Sequence, residues 1–199
     1  MARATLIEPA RYRVMPWRNG QGSTAEIAIE PGEAGRFRWR LSLADVAQSG
    51  PFSDFAGYER IIALASGAGM RLEIAGRAPA ILDTGSEPYA FPGEATAQCT
   101  LLAGPVRDLN LIYDRAACRG TLAALRFAGA PLRPTLATSI ALLHAAQGAL
   151  EVEVASGERL VLPEGATLRI DEPEGAPTVR GAAGARAFLA LVSARDATS

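Results

Sequence analysis

Residues 140–170 read IALLHAAQGALEVEVASGERLVLPEGATLRI, and this stretch decides the fold. It holds four short runs, Ile140–His144, Leu150–Ala155, Leu160–Leu162 and Thr167–Ile170, broken by Gln147-Gly148, Ser156-Gly157 and Pro163-Glu164-Gly165. The runs are too short for helices, and Leu150, Val152 and Val154 alternate with polar residues, the period of a strand. Gly and Pro between them mark tight turns. The pattern recurs upstream in RIIALASGAGMRLEIAG (60–76) followed by AFPGE (90–94), a weak internal repeat. Further strand-like runs lie at Ala25–Glu30, Phe37–Leu43, Cys99–Ala103, Leu109–Tyr113, Gly120–Phe127 and Ala187–Ser193. Only Ala44–Ala47 and Asp114–Cys118 read as helical turns. Many short strands at even spacing predict an all-β sandwich or barrel.

Composition narrows the function. The 199 residues carry a formal net charge of −1, and no basic stripe interleaves with aromatics, so nucleic acid is not an expected partner. All 20 basic residues are arginine; without lysine there is no Schiff-base chemistry and no P-loop. No apolar run approaches a membrane span and no secretory leader is evident, so a cytoplasmic protein with no membrane partner is expected. Cys99 and Cys118 form no CxxC and read as reduced thiols. The single histidine, His144, leaves no basis for a His-rich metal site and reads as a satisfied or surface residue.

The spacing in the second half matches a known motif. Gly157, five residues, Pro163, one residue, Gly165, two residues and Leu168 reproduce the second cupin motif, G-x5-P-x-G-x2-H-x3-N. Leu168 stands in the histidine slot and Glu172 in the asparagine slot. The first cupin motif ends E-x6-G; counting back from Gly148 puts Ala141 in its carboxylate slot. This half resembles a cupin without its metal ligands. In the first half the same count from Gly67 lands on Arg60. A guanidinium there repels metal ions and attracts carboxylates in a bidentate fork. The alternative is that Arg60 pairs with a protein acid such as Asp54, Glu59 or Asp108.

Three blocks carry a more specific likeness: MPWRNGQGSTAEIA (15–28), FRWRLSLADVAQSGPFSDFAGYERIIALASGAGMRL (37–72) and FPGEATAQCTLLAGPVRDLNLIYDR (91–115). In this order they resemble the HutD/Ves family, although Gln21 stands where the family usually has Gly. The resemblance implies a bicupin: two jelly-roll β-barrel cupin folds packed together in one chain. The expected domains are 1–118, a first barrel whose N-terminal strands can partly pair with the second, and 119–199, a second, degenerate barrel. The resemblance also implies a link to histidine utilisation, where the family is thought to restrain the pathway, or to stress response.

The candidate ligand-binding residues follow from faces and slots. Arg60 shares its strand face with Ile62 and Leu64, a cation in an apolar wall. Asn110, able to donate and accept, shares a face with Asp108 and Ile112. Asp108 is a ligand contact or a salt-bridge partner of Arg60 or Arg107. Arg40 and Ser42 share one face of FRWRLSL and either line a cavity or face solvent; the resemblance tips Ser42 inward. Trp17 and Asn19 form a plausible rim, with Asn19-Gly20 a turn entering the next strand. Ser53 and Phe55 fall near the histidine slots of the first motif, and Phe91 precedes Pro92-Gly93. The expected function is that of a metal-free, cofactor-free bicupin sensing a small carboxylate metabolite such as urocanate or formylglutamate. The alternatives are a cofactor-independent isomerase or hydrolase using Asp108, Arg60 and Ser42, and a scaffold with filled barrels. An Asp beside Arg should have a lowered pKa, which counts against Asp108 as a base. A homodimer is compatible with the sequence.

Overall fold

The computed structural model describes residues 2–17, 20 and 22–195. In chain order the strands are β1 (Arg3–Ile7), β2 (Arg13–Pro16), β3 (Gly22–Pro31), β4 (Phe37–Val46), β5 (Gly50–Pro51), β6 (Tyr58–Ser66), β7 (Met70–Ile74), β8 (Ala80–Leu82) and β9 (Tyr89–Pro92). They continue as β10 (Ala97–Leu101), β11 (Val106–Asp114), β12 (Cys118–Arg126), β13 (Ile140–Gln147), β14 (Leu150–Glu153), β15 (Arg159–Leu162), β16 (Thr167–Asp171), β17 (Thr178–Gly181) and β18 (Arg186–Ala194). Among the described residues the helical segments are two short 3-10 turns, Pro9–Arg11 and Glu33–Gly35, and no helix is long and apolar enough to cross a membrane. The all-β expectation holds. Ala44–Ala47 corrects the expected helical turn: Ala44 extends β4, paired to Thr24 on one side and Asp108 on the other. Two flanking ladders outweigh the modest helical preference of alanine. Asp114–Cys118 is a tight turn instead of a helical one, with the Asp114 side chain accepting from the Ala116 amide at 2.9 Å.

The chain forms two compact units, and Tyr12–Arg119 is one of them. Its larger sheet has the order β2-β3-β4-β11-β6-β9, and its smaller sheet β5-β10-β7-β8. Ala44, Val46, Ile62 and Leu64 of the larger sheet meet Met70, Leu72, Ile74, Leu82, Ala97 and Cys99 of the smaller in one apolar cluster. Trp39, Leu41 and Leu43 occupy the other face of β4 and are buried as well.

The second unit joins the chain from Gly120 onward with the N-terminal stretch up to Arg11. Its sheets have the orders β1-β16-β13-β18-β12 and β15-β14-β17. β1 pairs antiparallel with β16, Leu6 lying opposite Leu168. Ala141 and Leu168, in the two vacated ligand slots, sit in an apolar cluster with Leu143, Leu150, Val152, Leu162, Ile170 and Val179. His144 lies within β13, buried, its Nδ1 3.0 Å from Thr167 Oγ1, a satisfied histidine.

Two glycines allow the backbone approaches that shape the first unit. The β2–β3 hairpin turns through Gly20 at φ +69°, whose amide donates to the Trp17 carbonyl at 3.0 Å. Gly93 hydrogen-bonds both to the 52–57 loop and to the start of β6: its carbonyl accepts from the Phe55 amide at 2.9 Å and its amide donates to the Tyr58 carbonyl at 2.8 Å. A Cβ at Gly93 would lie 2.9 Å from Phe55 Cβ and closer still to the Phe55 carbonyl oxygen, so backbone would have to move. Gly93→Ala is therefore expected to cost about 1–3 kcal/mol. A thermal melt should show Tm lower by roughly 3–10 °C, whereas an unchanged Tm would contradict this close approach.

Candidate functional site

Strand register places the polar residues of the first unit on one sheet face. Residues directly opposite on paired strands project to the same side. Arg40, Ile112, Arg60 and Phe91 form one row across β4, β11, β6 and β9. Ser42, Asn110 and Ile62 form the next row, and Thr24, Ala44, Asp108 and Leu64 the one beyond. Ile62, Leu64 and Phe91 continue into the core, while the polar members, with Ala44 and Ile112, wall a cavity of about 440 Å³. Pro16 and Trp17 border it from the β2–β3 hairpin, Pro51 from β5, and Phe52, Ser53 and Phe55 from the segment after β5.

Arg60 is 6 % exposed and makes no ion pair with a described acid. Glu59 pairs instead with Arg115 at 3.8 Å, and Arg107 with Asp45 at 2.6 Å. One terminal nitrogen of Arg60 donates to Asn110 Oδ1 at 3.0 Å and the other to the Ser53 carbonyl at 3.3 Å. Its Nε is buried without a partner. The guanidinium carbon lies 5.0 Å from the ring centre of Phe52, 5.4 Å from Phe55 and 5.1 Å from Phe91. Ring faces attract a cation, by about 0.5–2 kcal/mol each depending on desolvation, which helps this charge persist without an ion pair. Burial lowers the Arg60 pKa to about 10, with the Asp108 charge opposing the fall and Arg40 adding to it, so Arg60 remains a cation at neutral pH.

Arg40 is the second cation of the cavity. Its guanidinium carbon lies 5.1 Å from the Phe37 ring and 5.4 Å from the Phe55 ring, and its Nε is buried without a partner. Burial lowers its pKa as well. Asp108 is 1 % exposed; Oδ1 accepts from Asn110 Nδ2, and Oδ2 is buried with no partner. The Asn110 amide thus spans Asp108 and Arg60, and its orientation follows from having an acceptor on one side and a donor on the other. Burial pushes the Asp108 carboxyl from 3.8 up to about 7, against the pull of Arg60 and the hydrogen bond from Asn110. This corrects the expectation of a lowered value: without an ion pair, desolvation outweighs the nearby cation.

The cavity brings together Arg60, Asn110, Asp108, Ser42, Ser53, Phe55 and Trp17. Trp17 Nε1 donates to Thr24 Oγ1 at 2.9 Å. Phe91 is fully buried and off the cavity wall, supporting the Arg60 guanidinium instead. Asn19 lies outside the described residues. Arg40, open in the sequence between cavity and solvent, lines the cavity, as do Thr24, Phe52 and Ile112. Strand parity with Ser42 was the signal for Arg40, and parity with Asn110 for Ile112. Phe52 sits in a loop, where no periodicity reports direction. Among the described residues no group of three or more His, Cys, Asp or Glu side chains is placed to hold a metal ion.

With the geometry in place, the similarities to known proteins are specific. The HutD family model matches residues 9–188. A Pseudomonas putida protein described as lying in the hutC 3′ region is 42% identical over 159 residues, 79% of this chain and 82% of that one. Protein Ves of Citrobacter koseri is 38% identical over 111 residues, 54% of this chain and 58% of Ves. The structure of HutD from Pseudomonas fluorescens SBW25, described as a formate condition, matches with a TM-score of 0.83 at 33% identity, over 98% of this chain and 100% of that one. A cupin 2 conserved barrel domain protein from Leptotrichia buccalis, 12% identical, matches over 86% of this chain and 88% of its own with a TM-score of 0.52, a likeness of fold alone.

Asp108 should leave a signature in the pH dependence of stability. Its folded pKa, about 7, lies above the ordinary 3.8, so its contribution is fully present below pH 3.8 and is lost as pH rises through 7. The loss amounts to about 4 kcal/mol at most. Thermal melts of wild type and Asp108→Asn from pH 4 to 9 should show wild type losing stability relative to the variant across that window; parallel curves would show an ordinary carboxyl at 108.

Proposed function

The chain belongs to the HutD family, and on that premise we propose that it is a small-molecule-binding bicupin that senses a carboxylate metabolite and modulates histidine utilisation or a stress response. The observation that carries this reading is Arg60, a buried cation on the wall of a cavity with no acid paired to it. A guanidinium has five N–H donors. Arg60 uses two in the hydrogen bonds to Asn110 and Ser53, which leaves capacity for a carboxylate. Arg40 adds positive charge, while Phe52, Phe55, Ile112 and Trp17 offer apolar surface to a hydrocarbon or aromatic body. At about 440 Å³ the cavity is in the range of small-molecule sites. Arg60 in a slot that metal cupins fill with a carboxylate supports binding without a metal. The placement of the Pseudomonas putida relative beside hutC, the likeness to Ves and the formate condition of the Pseudomonas fluorescens HutD structure support the metabolic context and the anion.

A cofactor-independent isomerase or hydrolase is the second reading, favoured by the Asp108 carboxyl at about 7, a suitable value for acid–base work. Turnover of a small carboxylate by metal-stripped protein, lost in Asp108→Asn, would move the assignment to that reading.

Calorimetry with urocanate, formylglutamate and formate tests the binding reading directly. Wild type is expected to bind at least one of them, and Arg60→Ala to lose about 2–5 kcal/mol, roughly 30- to 5,000-fold in affinity. Arg60→Lys, which keeps charge without the planar fork, should recover only part of the loss. Circular dichroism controls for folding, and absence of binding by wild type across the panel would defeat the reading.

A further inference from the structure

We propose that the cavity takes up its carboxylate together with one proton, which is carried on Asp108. The proposal rests on the carboxylate-binding reading and adds its regulation: affinity is coupled to pH through a group that acts by way of Asn110 and Arg60.

The geometry supplies the coupling. Asp108 is held inside the cavity wall, its Oδ1 accepting from Asn110, whose own Oδ1 accepts from Arg60. Its Oδ2 has neither solvent nor a hydrogen-bond partner, so nothing local satisfies a second ionised oxygen. The charged and titratable groups around it are few. Arg60 projects from β6 and Arg40 from β4, both onto the cavity. Asp45 of β4 is half exposed and bound to Arg107, Glu26 of β3 acts on Arg40, and Cys99 of β10 is a buried thiol. Asp54, in the loop beside the cavity, is exposed. Arg60 is therefore the main charge favouring an ionised Asp108.

A carboxylate docking on Arg60 engages that cation and brings a second negative charge into the same poorly solvated space. Two carboxylates sharing such a site cannot both stay ionised cheaply, and one takes a proton. The ligand, forked onto guanidinium N–H groups, keeps its charge; Asp108, with an unsatisfied oxygen, accepts the proton from solvent. The free protein already holds this carboxyl near 7, so uptake falls in the neutral range.

Formylglutamate and formate are suitable probes because their carboxylates stay ionised above pH 6. Calorimetry at pH 8 in phosphate and in Tris, whose ionisation heats differ, counts protons taken up per bound probe. The expected count for wild type is close to one, and affinity should fall roughly 10- to 30-fold between pH 6 and 8.5. Asp108→Asn should bind with no proton uptake and a flat pH profile. The carboxyl carbon of Asp108, followed by NMR in wild type, provides a check independent of the variant: it should titrate near neutrality in the free protein and higher with probe bound. Binding that depends on Arg60 but shows no uptake, or an Asp108 carboxyl that titrates below pH 5, overturns the proposal and leaves carboxylate binding standing. No binding at any pH overturns both.

Discussion

The site is organised by a buried guanidinium that is ion-paired to no described carboxylate. A charge removed from water is costly unless something local replaces hydration. For Arg60 the replacements are three aromatic rings, one amide oxygen and one backbone carbonyl. They come from three parts of the chain: Phe52, Ser53 and Phe55 from the segment after β5, Phe91 from β9 and Asn110 from β11. Satisfying one side chain therefore ties the 52–57 loop to the sheet. The same requirement explains why Gly93 leaves room for Phe55 and why Asn110 is oriented by Asp108.

The two units solve the interior differently with one strand pattern. In Tyr12–Arg119 the slot preceding Gly67 holds Arg60, which lines a cavity of about 440 Å³ beside the packed apolar cluster. In the C-terminal unit the corresponding slot holds Ala141, Leu168 occupies another, and apolar side chains close around them. Both units thus hold a packed apolar cluster, and the first adds a cavity walled by charged and polar side chains.

Much of the fold was legible because strands with Gly-marked turns leave a period of two. Arg60 was legible from its distance to Gly67, and the inward faces of Asn110 and Asp108 from alternation along β11. Arg40 and Ser42 stayed ambiguous for a physical reason. Both faces of β4 are largely buried, with Trp39 and Leu41 on one side and Ser42 on the other, so alternation separates the faces without saying which encloses the cavity. β1, β2, β8, β9 and β17 are short or weakly apolar, and β1, β9 and β17 also pair with strands that are not their chain neighbours. The protonation of Asp108 was misjudged from sequence because proximity to Arg60 is visible in the register while the depth of burial is not.

The pairing of β1 with β16 has a consequence for how the chain comes to be assembled. Leu6 finds Leu168 only after all of Tyr12–Arg119 has been made, so β1 must wait for β16. Until then β1 is an orphan, and until β1 arrives β16 presents a row of unpaired amides and carbonyls of the kind that invites other chains. Contacts of such long sequence separation are slow to form. The N-terminal residues therefore act as a delayed edge guard, and a nascent chain that loses them would leave the C-terminal sheet open to aggregation with its neighbours.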